Sequence, residues 1–403
     1  MSLNVRPVVS ALRRNRTGAV LVALEIAIAL AVMVNATWIV AQRIHAIEQP
    51  TGLDAQNTFA LGIVAVSSDF NPSSAQQREL AYLRSLPGVI AATVTSGVPL
   101  AQHGQGGTYW IHPGQRGPRI DARSMEMDEQ GLKTLGAHII AGRNFTAADI
   151  VPYSSDLSLT PHEVLVTESL ARKLYPRGDA LGKPLYPGFG AMATIIGITS
   201  DITGPVVRDP TYDFLMYPQT PGAYGEYYLL VRTRPGRAEA LMQTAVRHLA
   251  PSRLDSEVYF AYTLQYYKQR LDAENRNVAF FLTSITALVL AVACLGIFGL
   301  TTFNVSARTK QIGTMRAVGA RRRDVVAHFM LENAIILTAG VLTGCALALG
   351  TAYWLTVQYQ LPRLDLVYLA IGVFAVAVIG QLAAWQPARR AASVPPSVAT
   401  RTV

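Results

Sequence analysis

The chain has 403 residues, 50% hydrophobic and only 15% charged, against about 25% charged in an average soluble protein, which excludes a purely water-soluble globule. Residues 278–307 and 366–388 contain no Asp, Glu, Lys or Arg, and uncharged apolar runs of roughly 18 or more read as transmembrane helices. The net charge of +9 sits beside these runs: residues 42–277 hold 21 basic and 22 acidic side chains, the rest 14 and 4, which fits the positive-inside rule and excludes a nucleic-acid-binding face.

In chain order, residues 1–16 carry Arg6, Arg13, Arg14 and Arg16 and are expected in the cytoplasm. The first span covers 17–41, too long for a signal-peptide core of about 7–15 residues. Its one charge, Glu25, lies near enough to the cytoplasmic end to reach water by snorkelling, although intramembrane acids are often functional. Residues 42–277 then form a large extracytoplasmic domain. Strand-like 58–66 precedes a helical stretch with Leu80, Leu83 and Leu86, followed by strand-like 89–94. The same order recurs at 227–233, 237–249 and 257–261.

Two strand–helix–strand units flanking a long middle predict a split α/β subdomain, 46–95 plus 227–272, with 96–226 inserted as a second subdomain. Within the insert, 125–135 and 168–175 read as helices, and 164–166 and 193–202 as strands. Residues 262–277 read as a polar helix leading into the second span, 278–305. The cytoplasmic segment 306–326 follows, with six basic residues and one acid, Asp324. A third span at 327–357 carries Glu332 near its cytoplasmic end, where it either reaches water by snorkelling or is functional, as intramembrane acids often are. It also carries Gly340 and Gly344, whose GxxxG spacing permits close helix contact. A fourth span covers 365–386, and 387–403 returns to the cytoplasm with Arg389, Arg390 and Arg401. The fold class is an α+β membrane protein: four transmembrane helices with the α/β domain between the first and second.

Catalytic motifs are lacking. There is no HExxH, GxSxG or Cys–His pair placed outside. His103, His112, His138 and His162 lack ligand spacing, so no metal site is expected. The segment 178–183 (GDALGK) only superficially resembles a phosphate loop, since Pro184 stands where Ser or Thr must hold magnesium. Cys294 and Cys345 both fall in spans, so the outer domain has no disulfide framework. The segment 308–320, RTKQIGTMRAVGA, places Ile312, Met315 and Val318 at three-residue intervals in a short amphipathic helix. Gly319 can take the left-handed conformation that ends it. Such a helix either rests on anionic lipid or docks into a partner, and the residues alone leave both open.

Several segments together resemble the FtsX-like, MacB-type permeases of ABC transporters. They are RTKQIGTMRAVGA at 308–320, Glu332, PARRAASVPPSVATR at 387–401, LRSLPGVIAATVTSGVPL at 83–100, LGAHIIAGRNFTAAD at 135–149, VTESLARKLYPRGDALGKPL at 166–185 and IIGITSD at 195–201. The family usually has Glu where this chain has Gln311. The resemblance implies a non-catalytic, multi-pass subunit of the bacterial inner membrane that binds no cofactor itself. ATP and magnesium would be held by a separate ATP-binding subunit, engaged through Arg308, Lys310, Gln311, Ile312, Met315, Arg316, Val318 and Gly319. Further implied partners are a second permease (identical or related), membrane lipid, and a periplasmic adaptor with an outer-membrane duct. The implied activity is mechanotransmission for export or extraction of a substrate. The alternative is a transducer that regulates a periplasmic partner such as a cell-wall hydrolase.

Overall fold

The computed structural model describes residues 16–67, 70–102, 104–153, 160–188, 191–206, 211–222, 225–249, 255–359 and 363–393. Arg6, Arg13, Arg14, His103, Arg401 and the end of the 387–401 motif lie outside them, as do the side chains of Arg16, Lys310 and Gln311. Two compact units emerge. One comprises residues 48–274, the other the flanking residues up to Ile47 and from Asn275 onward.

The described residues open with α1 (Arg16–Glu48), then β1 (Thr58–Ala65), α2 (Pro72–Ser85), β2 (Val89–Thr95), β3 (Gln105–Trp110) and β4 (Ile120–Met127). Next come α3 (Gly131–Leu135), β5 (Ile139–Gly142), β6 (Glu163–Thr167), α4 (Glu168–Leu174), β7 (Pro184–Pro187), β8 (Ala193–Thr199) and β9 (Phe214–Pro218). The α/β unit ends with β10 (Glu226–Thr233), α5 (Ala238–Leu249) and β11 (Ser256–Thr263). Four helices follow among the described residues: α6 (Leu264–Ala307), α7 (Thr309–Ala317), α8 (Arg322–Tyr359) and α9 (Leu366–Ala392).

All eleven strands join one sheet, ordered β11-β1-β10-β2-β4-β3-β7-β8-β6-β9, with β5 on β8. One continuous sheet thus runs through both regions that the sequence divides into subdomains, although β2 and β4 share a single residue pair, Thr95↔Met127. Beside that narrow junction, the Arg84 guanidinium meets the buried Asp128 carboxylate at 2.7 Å, and the Thr93 hydroxyl donates to it at 2.6 Å. The helix expected over 125–135 is corrected: Met125 and Met127 belong to β4, and only Gly131–Leu135 is helical. Pairing decides this, because β4 lies antiparallel to β3 and parallel to β9, which ties its backbone groups into the ladder.

Alternation sorts side chains by size on the first strand. Phe59, Leu61 and Ile63 enter a core with Leu80 and Leu83 of α2 and Met242 and Ala245 of α5. Ala60, on the opposite face, enters a second core with Met125, Leu132, Leu135 and Phe214. Gly62 shares that small-residue side, and a Cβ there would sit 2.4 Å from the Phe260 ring. Helix α2 starts where Asn71 accepts a hydrogen bond from Ser74 N–H at 3.2 Å and Pro72 presets the first turn.

In the other unit, α1, α6, α8 and α9 are each long and apolar enough to cross a membrane. Their shared core includes Ile26 and Leu30 of α1, Ile297 of α6, Ile336 and Leu337 of α8 and Val376 of α9. Each helix runs beyond its apolar stretch, because backbone hydrogen bonding continues into polar residues that hydropathy does not count.

Candidate functional site

The segment between α6 and α8 folds as a short helical hairpin. Helix α7 closes with Gly319 at φ +103°, where Ala320 N–H donates to Met315 C=O at 3.0 Å and Gly319 N–H to Arg316 C=O at 3.1 Å. This paired closure is a Schellman motif, and the positive φ requires glycine. The next helix begins at once, with the Asp324 carboxylate accepting from Arg321 N–H at 2.9 Å, where a negative charge suits a helix N-terminus.

The three apolar positions expected on one face are separated. Ile312 is 3% exposed, Met315 41% and Val318 84%. Three-residue steps on a helix of 3.6 residues per turn drift about 60° each time, so Ile312 and Val318 point in different directions. Ile312 packs with Val325 and Phe329 of α8 and Ala388, Ala391 and Ala392 of α9. It anchors the hairpin to its own chain, and Met315 and Val318 form the exposed tip. Arg316 is half-buried.

Two further expectations change. Glu332 does not reach water: it is 3% exposed and its Oε2 accepts from Arg308 Nη1 at 3.0 Å. The burial comes from its place on α8 against α6, where Asn304, Asn333 and Ile336 share its surroundings. Arg308 is correspondingly held within the chain, with its side chain 19% exposed. Glu25 is half-buried and lies against α6, where a Cβ on Gly296 would come within 2.0 Å of its Oε2.

Gly340 and Gly344 bring α8 onto α1. A Cβ on Gly340 would meet Ala23 O and Ile26 Cβ at 2.8 Å, and one on Gly344 would meet Ala27 Cα and O at 3.0 Å. One turn further along, Asn35 of α1 donates to Thr351 Oγ1 at 2.9 Å and Ala348 O at 3.2 Å. Sequence reading missed Asn35, Asn333 (which donates to Gly380 O at 3.1 Å) and Gly372, whose absent side chain admits Val34. Polar and small residues at these positions inside apolar runs were the available signal.

The FtsX-like permease C-terminal family profile matches residues 283–396, and the MacB-like periplasmic core domain profile matches 19–249. Among curated relatives, the macrolide export ATP-binding/permease protein MacB of Chromobacterium violaceum is 23% identical over 283 residues, 69% of this chain and 43% of that protein. The uncharacterized ABC transporter permease YvrN of Bacillus subtilis is 23% identical over 295 residues, 68% of this chain and 69% of that protein. The chain thus spans less than half the length of the MacB protein it matches. The solved periplasmic region of MacB from Actinobacillus actinomycetemcomitans aligns with 57% of this chain and 98% of its own, at 15% identity and a TM-score of 0.35. The chain belongs to the FtsX-like, MacB-type permeases, membrane subunits of ABC transporters with a periplasmic core domain.

Proposed function

We propose that this chain converts ATP hydrolysis on a separate ATP-binding subunit into movement of its periplasmic domain, driving export or extraction of a substrate. The observation that carries the reading is the hairpin of 308–320. Its base is fixed by Ile312 and the Arg308–Glu332 pair, and its tip presents Met315 and Val318 to solvent. A rigid base under an apolar tip is what a docking element needs, since exposed apolar surface gains free energy when a partner covers it. The continuous helix Leu264–Ala307 offers a mechanical path with no loop to absorb motion. Relatives named for macrolide and syringafactin export support export as the output.

The assembly comprises two permeases in the inner membrane, identical or related, with both termini cytoplasmic. ATP and magnesium sit on the partner, and a periplasmic adaptor and outer-membrane duct complete the export route. Arg316 contributes polar contacts to the docking surface.

The test is ATPase stimulation and co-purification with the partner. Met315→Asp and Val318→Asp should abolish stimulated hydrolysis while membrane insertion survives. Replacing Arg321, Arg322 and Arg323 by Gln should leave it within about twofold, since those positions spread around the helix and face lipid headgroups. Full stimulation with both aspartates in place would show the hairpin to be a lipid-surface element.

A further inference from the structure

The α/β unit contains a cavity of about 590 Å³, within the roughly 300–1,000 Å³ typical of small-molecule sites. Strands β3, β4 and β9 form much of its wall. Tyr109 and Trp110 of β3, Ser124 and Glu126 of β4, and Tyr217 and Gln219 after them all line it. Ser124 and Glu126 share one face of β4 because side chains alternate along a strand. Tyr217 sits directly beside Glu126 in the parallel β4–β9 register. The Tyr109 hydroxyl lies close to Ser124 and Tyr217.

Glu126 stands out in this wall. Its backbone is held by Ser96, through Glu126 N–H to Ser96 Oγ at 2.9 Å. Its carboxylate, by contrast, makes no hydrogen bond or ion pair among the described residues. The groups lining the cavity around it are tyrosines, a tryptophan, glutamines, Ser96, Ser124 and Thr160, none of them cationic. Of the nearest charged side chains on the same strand, Arg123 lies along Gly106, on the other face of β4, and Asp128 binds Arg84. A half-buried carboxylate without a counter-charge is costly unless something supplies one. Aromatic faces attract cations as well.

We propose that this cavity binds an organic cation with an aromatic or apolar body, its positive charge set against Glu126 and its body against Trp110, Tyr109 and Tyr217. Burial holds the Glu126 carboxyl at a pKa of about 7, so the site gains or loses its charge near neutral pH. Binding concerns the α/β unit alone and does not depend on coupling to an ATPase.

The test uses the full chain in nanodiscs of zwitterionic phosphatidylcholine, without nucleotide, so that cations do not collect on anionic lipid. Ethidium, a permanent aromatic cation, is titrated by fluorescence anisotropy, with tetraphenylphosphonium and toluenesulfonate as cationic and anionic competitors. Ethidium should bind saturably, and tetraphenylphosphonium alone should displace it. Glu126→Gln, which keeps shape and removes charge, should weaken binding at pH 8 by about tenfold, and Trp110→Ala by about fivefold. Since the competent carboxylate is ionised in about one molecule in eleven at pH 6, wild-type affinity should be about tenfold weaker at pH 6 than at pH 8. That dependence should vanish in Glu126→Gln. Equal affinity of wild type and Glu126→Gln at pH 8, or equal displacement by toluenesulfonate, would overturn the proposal. Hydrogen exchange across β4 checks that each variant remains folded.

Discussion

Removing one partner of the Arg308–Glu332 pair should destabilise the membrane unit far more than removing both. At 3.0 Å and an effective dielectric of about 20, the two charges attract by about 5.5 kcal/mol, most of which offsets their desolvation. Arg308→Met leaves the Glu332 side chain, 4% exposed, as an uncompensated buried charge, and its Oε1 already lacks a hydrogen-bond partner. Breaking a buried pair from one side costs about 3–5 kcal/mol. Glu332→Leu strands the more accessible Arg308 and should cost about 1–2 kcal/mol. The double variant should lie within about 1 kcal/mol of wild type, because apolar replacements of similar size remove the desolvation cost with the attraction. The assay is denaturant titration in mixed micelles read by thiol labelling. The two cysteines, Cys294 and Cys345, are free and both lie in α6 and α8, so unfolding of the α/β unit is silent. A coupling energy in this cycle below about 0.5 kcal/mol would show that the pair does not hold the hairpin base.

The glycine contacts and the buried carboxylate give two further expectations. Gly344→Val, and Gly340→Val more strongly, should push α8 off α1 and cost about 1–3 kcal/mol; the same micelle titration checks this, and unchanged midpoints would refute the close approach. Burial raises Glu126 from an ordinary 4.5 to about 7, so the folded chain favours the protonated form. The resulting stability is fully present below pH 4.5 and is lost as pH rises through 7, in total about 3 kcal/mol. Hydrogen exchange at Ile120–Met127 should therefore show Glu126→Gln gaining about that much on wild type between pH 4.5 and pH 8, and a constant difference would refute the assignment.

Charge-free runs were readable as spans because crossing hydrocarbon demands length and apolarity, both local properties of sequence. Gly340 and Gly344 were readable for the same reason: spacing alone puts them on one face. The Arg308–Glu332 pair was not, since a 24-residue separation carries no sign of contact until α6 and α8 pack. Ile312 looked equivalent to Val318 in a periodic count, and only the positions of α8 and α9 decide which of the two is covered. Strand β3 escaped notice because QGGTYW has neither alternation nor a β-branched run, and β7 because it begins and ends with proline. Both gain their strand character from neighbours, β3 from β4 and both from each other. The cavity wall they help build was invisible accordingly.

The size sorting along β1 bears on how distant relatives are compared. From Phe59 to Ala65 both faces of that strand are apolar, so a one-residue slip there would trade no polar group for a hydrophobic one. What it would do is drive Phe59, Leu61 and Ile63 into the space held by Ala60 and Gly62, where even a methyl meets the Phe260 ring. Steric volume therefore sets the phase of this strand and polarity does not. A substitution matrix that scores alanine and leucine as interchangeable hydrophobes can shift this strand by one position at no apparent cost. At identities near 23%, alternation of large and small residues is the better guide to which positions correspond.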